Sequence, residues 1–364
     1  MSETRHNWTK AEILDIYNTS LMELLYQAAT IHREHHDPNT VQVSTLLSIK
    51  TGGCPEDCGY CPQAARYHTN IEGNDLMTVN QVKAQALRAK SSGSSRVCMG
   101  AAWRNVKDGE EFDQVLEMVR TINKLDMEVC CTLGMITENQ AQRLAEAGLY
   151  AYNHNLDSSE EYYKEVISTR GYEDRLKTID NVRKTNVTVC SGGIIGMGEN
   201  IEDRAGMLVA LSTLNPQPES VPINALVAVE GTPLEEQTPI SIWEMVRMVA
   251  TTRIVMPETQ VRLSAGRTEM TREGQAMCFF AGANSIFAGD KLLTTPNPDV
   301  SEDMEMFKLL GLNPQKPFIK KMQPESVEAA QSQYQALGEK PKWSRPEHKI
   351  ERNETAKEKA KVLK

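Results

Sequence analysis

Three cysteines close together carry the clearest metal-binding chemistry in this sequence. Cys54, Cys58 and Cys61 lie in TGGCPEDCGYC at C-x3-C-x2-C spacing, and neighbouring glycines allow the loop to turn tightly. Thiolates grouped in this way bind a soft metal ion or an iron-sulfur cluster. Structural zinc and [4Fe-4S] clusters normally take four protein ligands, and the closest further candidates are His68 and Cys98. The motif therefore predicts a cluster with one open metal position, with a zinc loop or a structural cluster as the alternative.

The composition narrows the class of protein. The chain has 364 residues, 40% of them hydrophobic, and a net charge of -9 that argues against nucleic acid as the principal partner. No apolar run approaches the roughly 18 residues that a membrane span requires. The first residues, MSETRHNWTKAEILDIY, are typical of neither a signal peptide nor a transit sequence. We therefore expect a cytoplasmic protein with no membrane or nucleic-acid partner, whose eight cysteines are ligands or buried thiols.

Beyond residue 40, short β-rich runs alternate with longer amphipathic helical stretches. The strand candidates begin at Val41, Arg96, Met127, Tyr150, Val187, Val221, Gln260 and Ala283. Units of this kind, repeated over about 250 residues, predict an α/β fold of the (β/α)8 TIM-barrel type, with a doubly wound open sheet as the competitor. The expected domains are an N-terminal helical extension (1–40), the barrel (41–314) and a helical, charged and partly disordered tail (315–364).

The order of residues within each strand favours the barrel. Side chains alternate across a strand, so every second one faces the lumen. Cysteines and polar residues share one side in several strands: Cys98 with Arg96, Cys130 with Glu128, Cys190 with Thr188, Arg262 with Ser264, and Asn153 with Asn155 and Asp157. The three inward cysteines could hold a second metal centre, or each could be a small buried hydrophobe. Cys131 and Cys278 are expected to be structural.

Further polar candidates follow other strands. The turn GGIIGMGE (residues 192–199) connects a strand to a helix, so its glycines allow close approach of a ligand, unless it is a tight turn without one. Asp157 is suited to a ribose diol, and the amides of Asn155 and Asn224 to amide or urea groups, although each could be a structural residue. The early histidines are expected at the surface: His6, His32, His35 and His36.

Together these motifs resemble the biotin synthase family of radical S-adenosylmethionine enzymes. The matching segments extend over residues 8–314 and are QVSTLLSIKTGGCPEDCGYCPQ, CMGAAW, CTLG, YNHNLD, VCSGGIIGMGE, ESVPINAL, VRLSAGR and KLLTTPNP. The resemblance implies that Cys54, Cys58 and Cys61 bind a [4Fe-4S] cluster whose fourth iron is chelated by S-adenosylmethionine. It also implies a [2Fe-2S] cluster with an unusual guanidinium ligand, held by Cys98, Cys130, Cys190 and Arg262.

The activity that the resemblance implies is conversion of dethiobiotin to biotin. S-Adenosylmethionine would supply 5′-deoxyadenosyl radicals, and the [2Fe-2S] cluster would supply the inserted sulfur. The implied S-adenosylmethionine contacts are Tyr60, Asn155, Asp157, Arg175 at the methionine carboxylate, and the turn residues Gly192, Gly193, Ile194, Gly196 and Glu199. The implied substrate contacts are Asn155 and Asn224 at the ureido ring, and Thr294 and Thr295 at the carboxylate. The family also implies a homodimer and a flavodoxin- or ferredoxin-like electron donor.

Two kinds of protein compete with this interpretation. One is another radical S-adenosylmethionine enzyme, such as a lipoyl synthase or a diiron-cofactor maturase. Lipoyl synthases resemble one another in a second dense cysteine motif near the N-terminus, which this sequence lacks. The rival from a different class is a non-catalytic iron-sulfur electron carrier or a zinc scaffold, and neither of these needs a polar barrel lumen.

Overall fold

A computed structural model describes residues 4–289 and 291–317 of the chain. Two helices, α1 (Lys10–Asn18) and α2 (Leu21–His35), precede the barrel, so the predicted helical run is divided between them. Thr9 caps α1: its hydroxyl accepts a hydrogen bond from the Glu12 amide, while the Glu12 carboxylate accepts one from Thr9 N at 2.9 Å. The cap sets the residue at which α1 begins.

The strands form a closed parallel barrel of eight positions. They are β1 (Thr40–Lys50), β2 (Arg96–Ala101), β3 (Glu128–Thr132), β4 (Ala151–Asn153), β5 (Thr188–Cys190), β6 (Gly193–Ile195), β7 (Ser220–Ala225), β8 (Gln260–Leu263) and β9 (Ser285–Phe287). β1 pairs with both β2 and β9, which closes the barrel. β5 and β6 share one position, because both pair with β7. The predicted TIM-type (β/α)8 barrel is confirmed.

Helices surround this barrel. They are α3 (Val79–Ser91), α4 (Glu110–Asn123), α5 (Glu138–Glu146), α6 (Glu160–Val166), α7 (Tyr172–Arg183), α8 (Ile201–Ser212), α9 (Ile242–Val255) and α10 (Arg272–Phe280). The sequence pattern did not predict α6, whose 7 residues are too few to show a helical period. The strand expected from Tyr150 is also shorter than predicted, because the ladder ends at Asn153 and resumes only as a bridge between Asp157 and Gly193.

The predicted alternation of side chains across the barrel wall is confirmed. Val97, Cys131 and Cys278 belong to the large core between the strands and the helices. Cys98 and Cys130 instead belong to a small cluster inside the barrel. Adjacent cysteines at positions 130 and 131 therefore face opposite sides of the wall, as expected for extended backbone.

The chain after β9 forms a cover and a last helix. A hairpin of β10 (Lys291–Leu292) and β11 (Thr295–Pro296) precedes α11 (Val300–Leu310) and β12 (Asn313–Pro314), which pairs with β1. The predicted tail (315–364) lies almost entirely outside the described residues, which end at 317. Within the described ranges, no helix combines the length and the apolar character that a membrane crossing demands.

One expectation for the N-terminal region is wrong. His32 is buried, because it continues the inward face of α2 that Leu25 and Ala28 begin at helical spacing. Burial lowers the pKa of His32 well below its usual value. The ring of His36 lies 2.8 Å from Nη1 of Arg253, so this histidine also contacts the barrel.

Candidate functional site

A cavity of about 310 Å³ lies where the carboxyl ends of the barrel strands meet. Most of the residues singled out in the sequence line it: Cys54, Cys58, Tyr60, Cys61, Cys98, Cys130, Asn155, Asp157, Arg175, Ile194, Asn224, Arg262, Thr294 and Thr295. The predicted residues that do not contribute to this lining are Cys190, Gly192, Gly193, Gly196 and Glu199. One chamber therefore connects the loop cysteines with the cysteines inside the barrel.

The cysteine loop continues directly from β1. Gly52 and Gly53 have φ values of 75° and 70°, which side chains with a Cβ rarely adopt. Beyond this turn, Cys54 N donates a hydrogen bond to the Gln63 carbonyl at 2.9 Å, and Cys61 N donates one to the carbonyl of Cys58 at the same distance. These bonds curl the loop so that its three thiols face one cavity.

Burial raises the pKa of each loop thiol. The pKa of Cys58 is raised to about 11 and that of Cys61 to about 12, and the pKa of Cys54 also lies above its usual value. The free thiols are therefore protonated at neutral pH. Binding of a metal or cluster must release these protons, which couples occupancy of the site to pH.

A second segment holds the cysteine loop in place, and we call this contact the acidic latch (Glu56 and Asp57 with Ser168 and Thr169). The backbone amides of Ser168 and Thr169 donate hydrogen bonds to Asp57 Oδ1 at 2.9 and 3.0 Å. The Thr169 hydroxyl also donates to Glu56. Burial would raise the pKa of Asp57, but the hydrogen bonds from Ser168 and Thr169 lower it below its usual range. The latch joins the cysteine loop to the segment between α6 and α7.

A buried polar network surrounds Asp157. Its φ of 67° lies in the left-handed region, which Asp tolerates better than most residues. The Tyr60 hydroxyl donates to Asp157 Oδ2 at 2.8 Å, and Arg175 forms an ion pair with the same carboxylate. Arg175 also donates from Nε to the Tyr163 hydroxyl at 2.9 Å and from Nη1 to the Asn155 carbonyl at 2.7 Å. The network fixes the position of a carboxylate and an aromatic ring beside the cysteine loop.

The glycines of the turn after β5 are explained by packing of the barrel wall. A Cβ at Gly192 would collide with the carbonyl of Pro222, and one at Gly193 would collide with the sulfur of Met207. The side chain that follows them, Ile194, lines the cavity. Only a small part of this predicted ligand-binding turn therefore faces the chamber.

Glu199 binds the backbone of the same turn. Its carboxylate accepts hydrogen bonds from Gly196 N at 2.9 Å and from Met197 N at 2.8 Å, and it pairs with Arg204 at 2.8 Å. These contacts hold the backbone that carries Ile194. The structure thus places Glu199 in a supporting position and not on the cavity wall.

Two asparagine amides line the chamber near β6. Asn224 donates from Nδ2 to the Gly193 carbonyl at 2.9 Å, and its Oδ1 accepts from Ala265 N at 3.2 Å. Asn155 Oδ1 accepts from Gly192 N at 3.2 Å. Both amides are therefore oriented by backbone groups, which is the arrangement needed to present a fixed donor and acceptor pattern to a ligand.

The hairpin after β9 covers part of the chamber. Thr294 and Thr295 line the cavity together with Leu292 and Leu293. Leu293 has a φ of 46°, a left-handed conformation that is costly for a residue with a Cβ. A Cβ added at Gly100 would lie 2.7 Å from Cδ2 of Leu293, so the leucine rests in a space that only glycine leaves open.

Three cysteines meet inside the barrel, on strands β2, β3 and β5. Cys98 lies opposite Cys130 in the strand register, and the thiol of Cys130 interacts with the thiols of both Cys98 and Cys190. All three are buried. The interaction with Cys130, aided by the charge of Arg262, lowers the pKa of Cys190 to about 6. The same interactions with Cys190 and Cys98 raise the pKa of Cys130. The prediction that these thiols converge agrees with the geometry.

Arg262 is aimed at this thiol group. Its Nη1 lies 3.9 Å from Sγ of Cys190, and its other nitrogens donate to Ser285 Oγ and Gln42 Oε1, each at 2.9 Å. The guanidinium also stacks on the Phe287 ring, with 4.6 Å between Cζ and the ring centroid. Neighbours on β1 and β9 therefore orient Arg262, and among the residues that the structure describes no carboxylate forms an ion pair with it.

A charged layer, the barrel floor, fills the lumen one pleat below the thiols. Arg96 pairs with Glu128 at 2.8 Å and with Glu219 at 3.3 Å, and its guanidinium lies 4.8 Å from the Tyr150 ring. The arginine and both glutamates are at most 3% exposed. A buried charge of this kind is tolerated because it is paired.

Sequence reasoning missed three parts of the site. These are the acidic latch, the partner Glu219 in the barrel floor, and Arg170, whose side chain lines the cavity. The pair Glu56 and Asp57 lies inside the cysteine motif, which was the available signal for the latch. Nothing in the local sequence identifies which distant residues these carboxylates contact.

The two thiol groups have the composition of iron-sulfur sites. Across the described residues, no three Cys, His, Asp or Glu side chains converge closely enough to hold a single metal ion. A cluster accepts a wider separation, because each thiolate binds a different iron. Three loop thiols fit a cubane with one open iron, and three buried thiols with Arg262 supply four donors to a second, smaller cluster.

Two family models match the chain. The Radical SAM superfamily matches residues 48–211, and the Biotin and Thiamin Synthesis associated domain matches residues 222–313. The first match includes the cysteine loop, the thiols inside the barrel and the Asp157 network. The second includes Asn224, Arg262 and the hairpin after β9.

Curated relatives agree with these matches, and solved structures share the fold. Biotin synthase of Christiangramia forsetii is 87% identical over 98% of this chain and 99% of its own, and that of Flavobacterium johnsoniae is 85% identical over 99% of each. The fold is similar to methylornithine synthase (TM-score 0.70, 18% identity, 88% of this chain and 96% of that one). It is also similar to the FeFe-hydrogenase maturase of Carboxydothermus hydrogenoformans (TM-score 0.66, 16% identity, 90% and 75%). With such identity to curated relatives over nearly its whole length, the chain belongs to the biotin synthase family.

Proposed function

We propose that this enzyme converts dethiobiotin to biotin by radical insertion of sulfur. The observation that carries the proposal is the arrangement of two separate thiol groups around one chamber. When bound, a [4Fe-4S] cluster with S-adenosylmethionine would supply 5′-deoxyadenosyl radicals, and a [2Fe-2S] cluster would supply the sulfur. The chamber that connects the two groups, about 310 Å³ in volume, has room for a small substrate held between them.

The cysteine loop would hold the [4Fe-4S] cluster through Cys54, Cys58 and Cys61. The acidic latch supports this assignment, because it ties the loop to the segment between α6 and α7 and so fixes its position. S-Adenosylmethionine would lie beside the loop, with Tyr60 and Ile194 near the adenosine, Asp157 and Asn155 at the ribose, and Arg175 near the methionine carboxylate. The backbone of the turn from Gly192 to Gly196, supported by Glu199, would form the adjoining wall.

The buried thiols would hold the [2Fe-2S] cluster through Cys98, Cys130, Cys190 and Arg262. Support comes from their shared position inside the barrel and from the aim of Arg262 at Cys190. The ordered hydrogen bonds of Arg262 to Ser285 and Gln42 keep its remaining nitrogen directed at the thiol group. Residues on separate strands would thus position the sulfur donor rigidly.

Dethiobiotin would occupy the chamber between the two clusters. Asn155 and Asn224 would bind its ureido ring, since their amides are held by backbone groups and can donate as well as accept. Thr294 and Thr295 on the hairpin would bind its carboxylate. Leu292, Leu293 and Phe287 provide the apolar wall that its aliphatic chain requires.

The compartment, the oligomeric state and the electron donor are also proposed from the family. The enzyme would work in the cytoplasm as a homodimer, with electrons from a flavodoxin- or ferredoxin-like protein; all eight cysteines are free, as a reducing compartment requires. Its domains would be the helical extension (1–40), the catalytic barrel (41–314) and the tail (315–364).

An anaerobic assay tests the proposal. Reconstituted protein is incubated with reductant, S-adenosylmethionine and dethiobiotin, and 5′-deoxyadenosine and biotin are measured by mass spectrometry. We expect both products together. Deoxyadenosine without biotin would contradict the substrate or the second cluster, and neither product from protein with both clusters would favour an electron carrier.

A further inference from the structure

Arg170 is a largely buried cation at the chamber wall, and its ion-pair partner Glu56 is shared with Arg104. It lies in the segment between α6 and α7, directly after the Ser168 and Thr169 of the acidic latch, and its side chain lines the cavity. Only 8% of that side chain is exposed. The latch therefore fixes the backbone from which Arg170 reaches the chamber.

The hydrogen bonds of Arg170 are incomplete. Its Nη1 lies 3.9 Å from Glu56, too far for a hydrogen bond, and within the described part of the chain its buried Nε has no hydrogen-bond partner. Glu56 is shared, since its carboxylate also lies 3.7 Å from Arg104. A buried guanidinium donor left unsatisfied costs stability unless a ligand completes its bonds.

The neighbouring arginine is already occupied. Arg175 uses Nε, Nη1 and Nη2 for Tyr163, the Asn155 carbonyl and Asp157. Two like charges in one wall also repel each other, which a bound anion would relieve. An anion that enters beside the cysteine loop would therefore find free donors on Arg170.

We propose that Arg170 binds the carboxylate of the methionyl part of S-adenosylmethionine, alongside Arg175. This inference rests on the proposed function, in which that carboxylate lies next to the loop cluster. A guanidinium binds a carboxylate through two parallel hydrogen bonds, a geometry that an isolated lysine cannot reproduce. Arg170 would be a positioning residue, because it orients the cofactor by its non-reacting end.

The test compares two ligands in equilibrium binding to the reconstituted protein, without reductant or dethiobiotin. The ligands are S-adenosylmethionine and its decarboxylated analogue, and the variants are Arg170→Gln and Arg170→Lys. Arg104→Gln is the matched control, since Arg104 contacts the same Glu56 but does not line the cavity. Iron content and circular dichroism establish that each variant is folded and loaded.

We expect Arg170→Gln to weaken S-adenosylmethionine binding about 10- to 100-fold, the range typical for a lost charged hydrogen bond. Binding of the decarboxylated analogue by Arg170→Gln should be unchanged. Arg170→Lys should weaken S-adenosylmethionine binding less than Arg170→Gln does. An equal loss for both ligands, no loss for either, or a fall in iron content in Arg170→Gln alone would overturn the inference. Failure of the parent protein to bind S-adenosylmethionine would overturn the proposed function itself.

Discussion

The two thiol groups are built on different kinds of backbone. Cys54, Cys58 and Cys61 lie in one loop, where glycines with positive φ and short-range hydrogen bonds set their positions. Cys98, Cys130 and Cys190 lie on three strands, where the register of the barrel sets them. Two of the loop thiols, Cys54 and Cys61, are partly exposed, whereas all three strand thiols are buried. The first arrangement suits a cluster that must accept a ligand, and the second suits a sulfur donor protected from solvent.

The largest expected effect separates the two groups by function. Cys190→Ala should abolish biotin formation, because the proposed second cluster would lose a ligand on a strand that cannot adjust. The loop cluster should survive, so cleavage of S-adenosylmethionine should persist. Biotin and deoxyadenosine are measured together, with Cys278→Ala, a buried thiol outside the lumen, as control. Parental biotin yield in Cys190→Ala would refute the assignment of the sulfur donor.

The next effect concerns the support of the loop. Asp57→Ala removes several hydrogen bonds of the acidic latch, each worth about 1.5–3 kcal/mol to a charged acceptor. Loss of iron from the loop cluster should become about 10- to 100-fold faster, while the second cluster is retained. The two clusters are followed separately by their visible absorbance bands, and the total iron is measured by iron analysis. Asp108→Ala, which breaks an exposed pair with Arg143, is the control and should leave both rates unchanged.

Acid should weaken the latch of the cluster-free protein. Because the folded state lowers the pKa of Asp57, the latch stabilises the protein fully above the usual aspartate value of about 3.9 and loses this contribution as pH falls below it. The difference in unfolding free energy between the parent and Asp57→Asn should therefore be constant near neutrality and shrink below about pH 4. Chemical denaturation across this range measures it. A gap that widened on acidification would contradict the latch.

The smallest effect concerns the space between the clusters. Gly100→Ala should displace the side chain of Leu293, because the added Cβ would collide with it. We therefore expect the KM for dethiobiotin to rise several-fold, while uncoupled cleavage of S-adenosylmethionine changes little. Gly73→Ala is the control, because its Cβ would lie 3.6 Å from the nearest atom, an ordinary contact. Unchanged KM in Gly100→Ala would show that the hairpin does not contact substrate.

The same contrast explains what the sequence could predict. The loop site was readable from spacing alone, and the strand site from the alternation of side chains once a barrel was assumed. The assignment of Cys130 to the lumen and Cys131 to the outer core followed from that alternation. Contacts between distant segments were not readable. Asp57 meets Ser168, and Arg96 meets Glu219, across more than a hundred residues of chain that only the folded barrel brings together.

The barrel floor makes the chamber a dead end. Since Arg96 and its two glutamates fill the lumen below the buried thiols, those thiols can be reached only from the chamber at the carboxyl ends of the strands. A group bound at the inner thiols can therefore be replaced only after the ligands bound above it have left. Repair of the inner site after a turnover would then have to wait until both the nucleoside and the finished product have departed, which makes refilling a separate phase of the catalytic cycle.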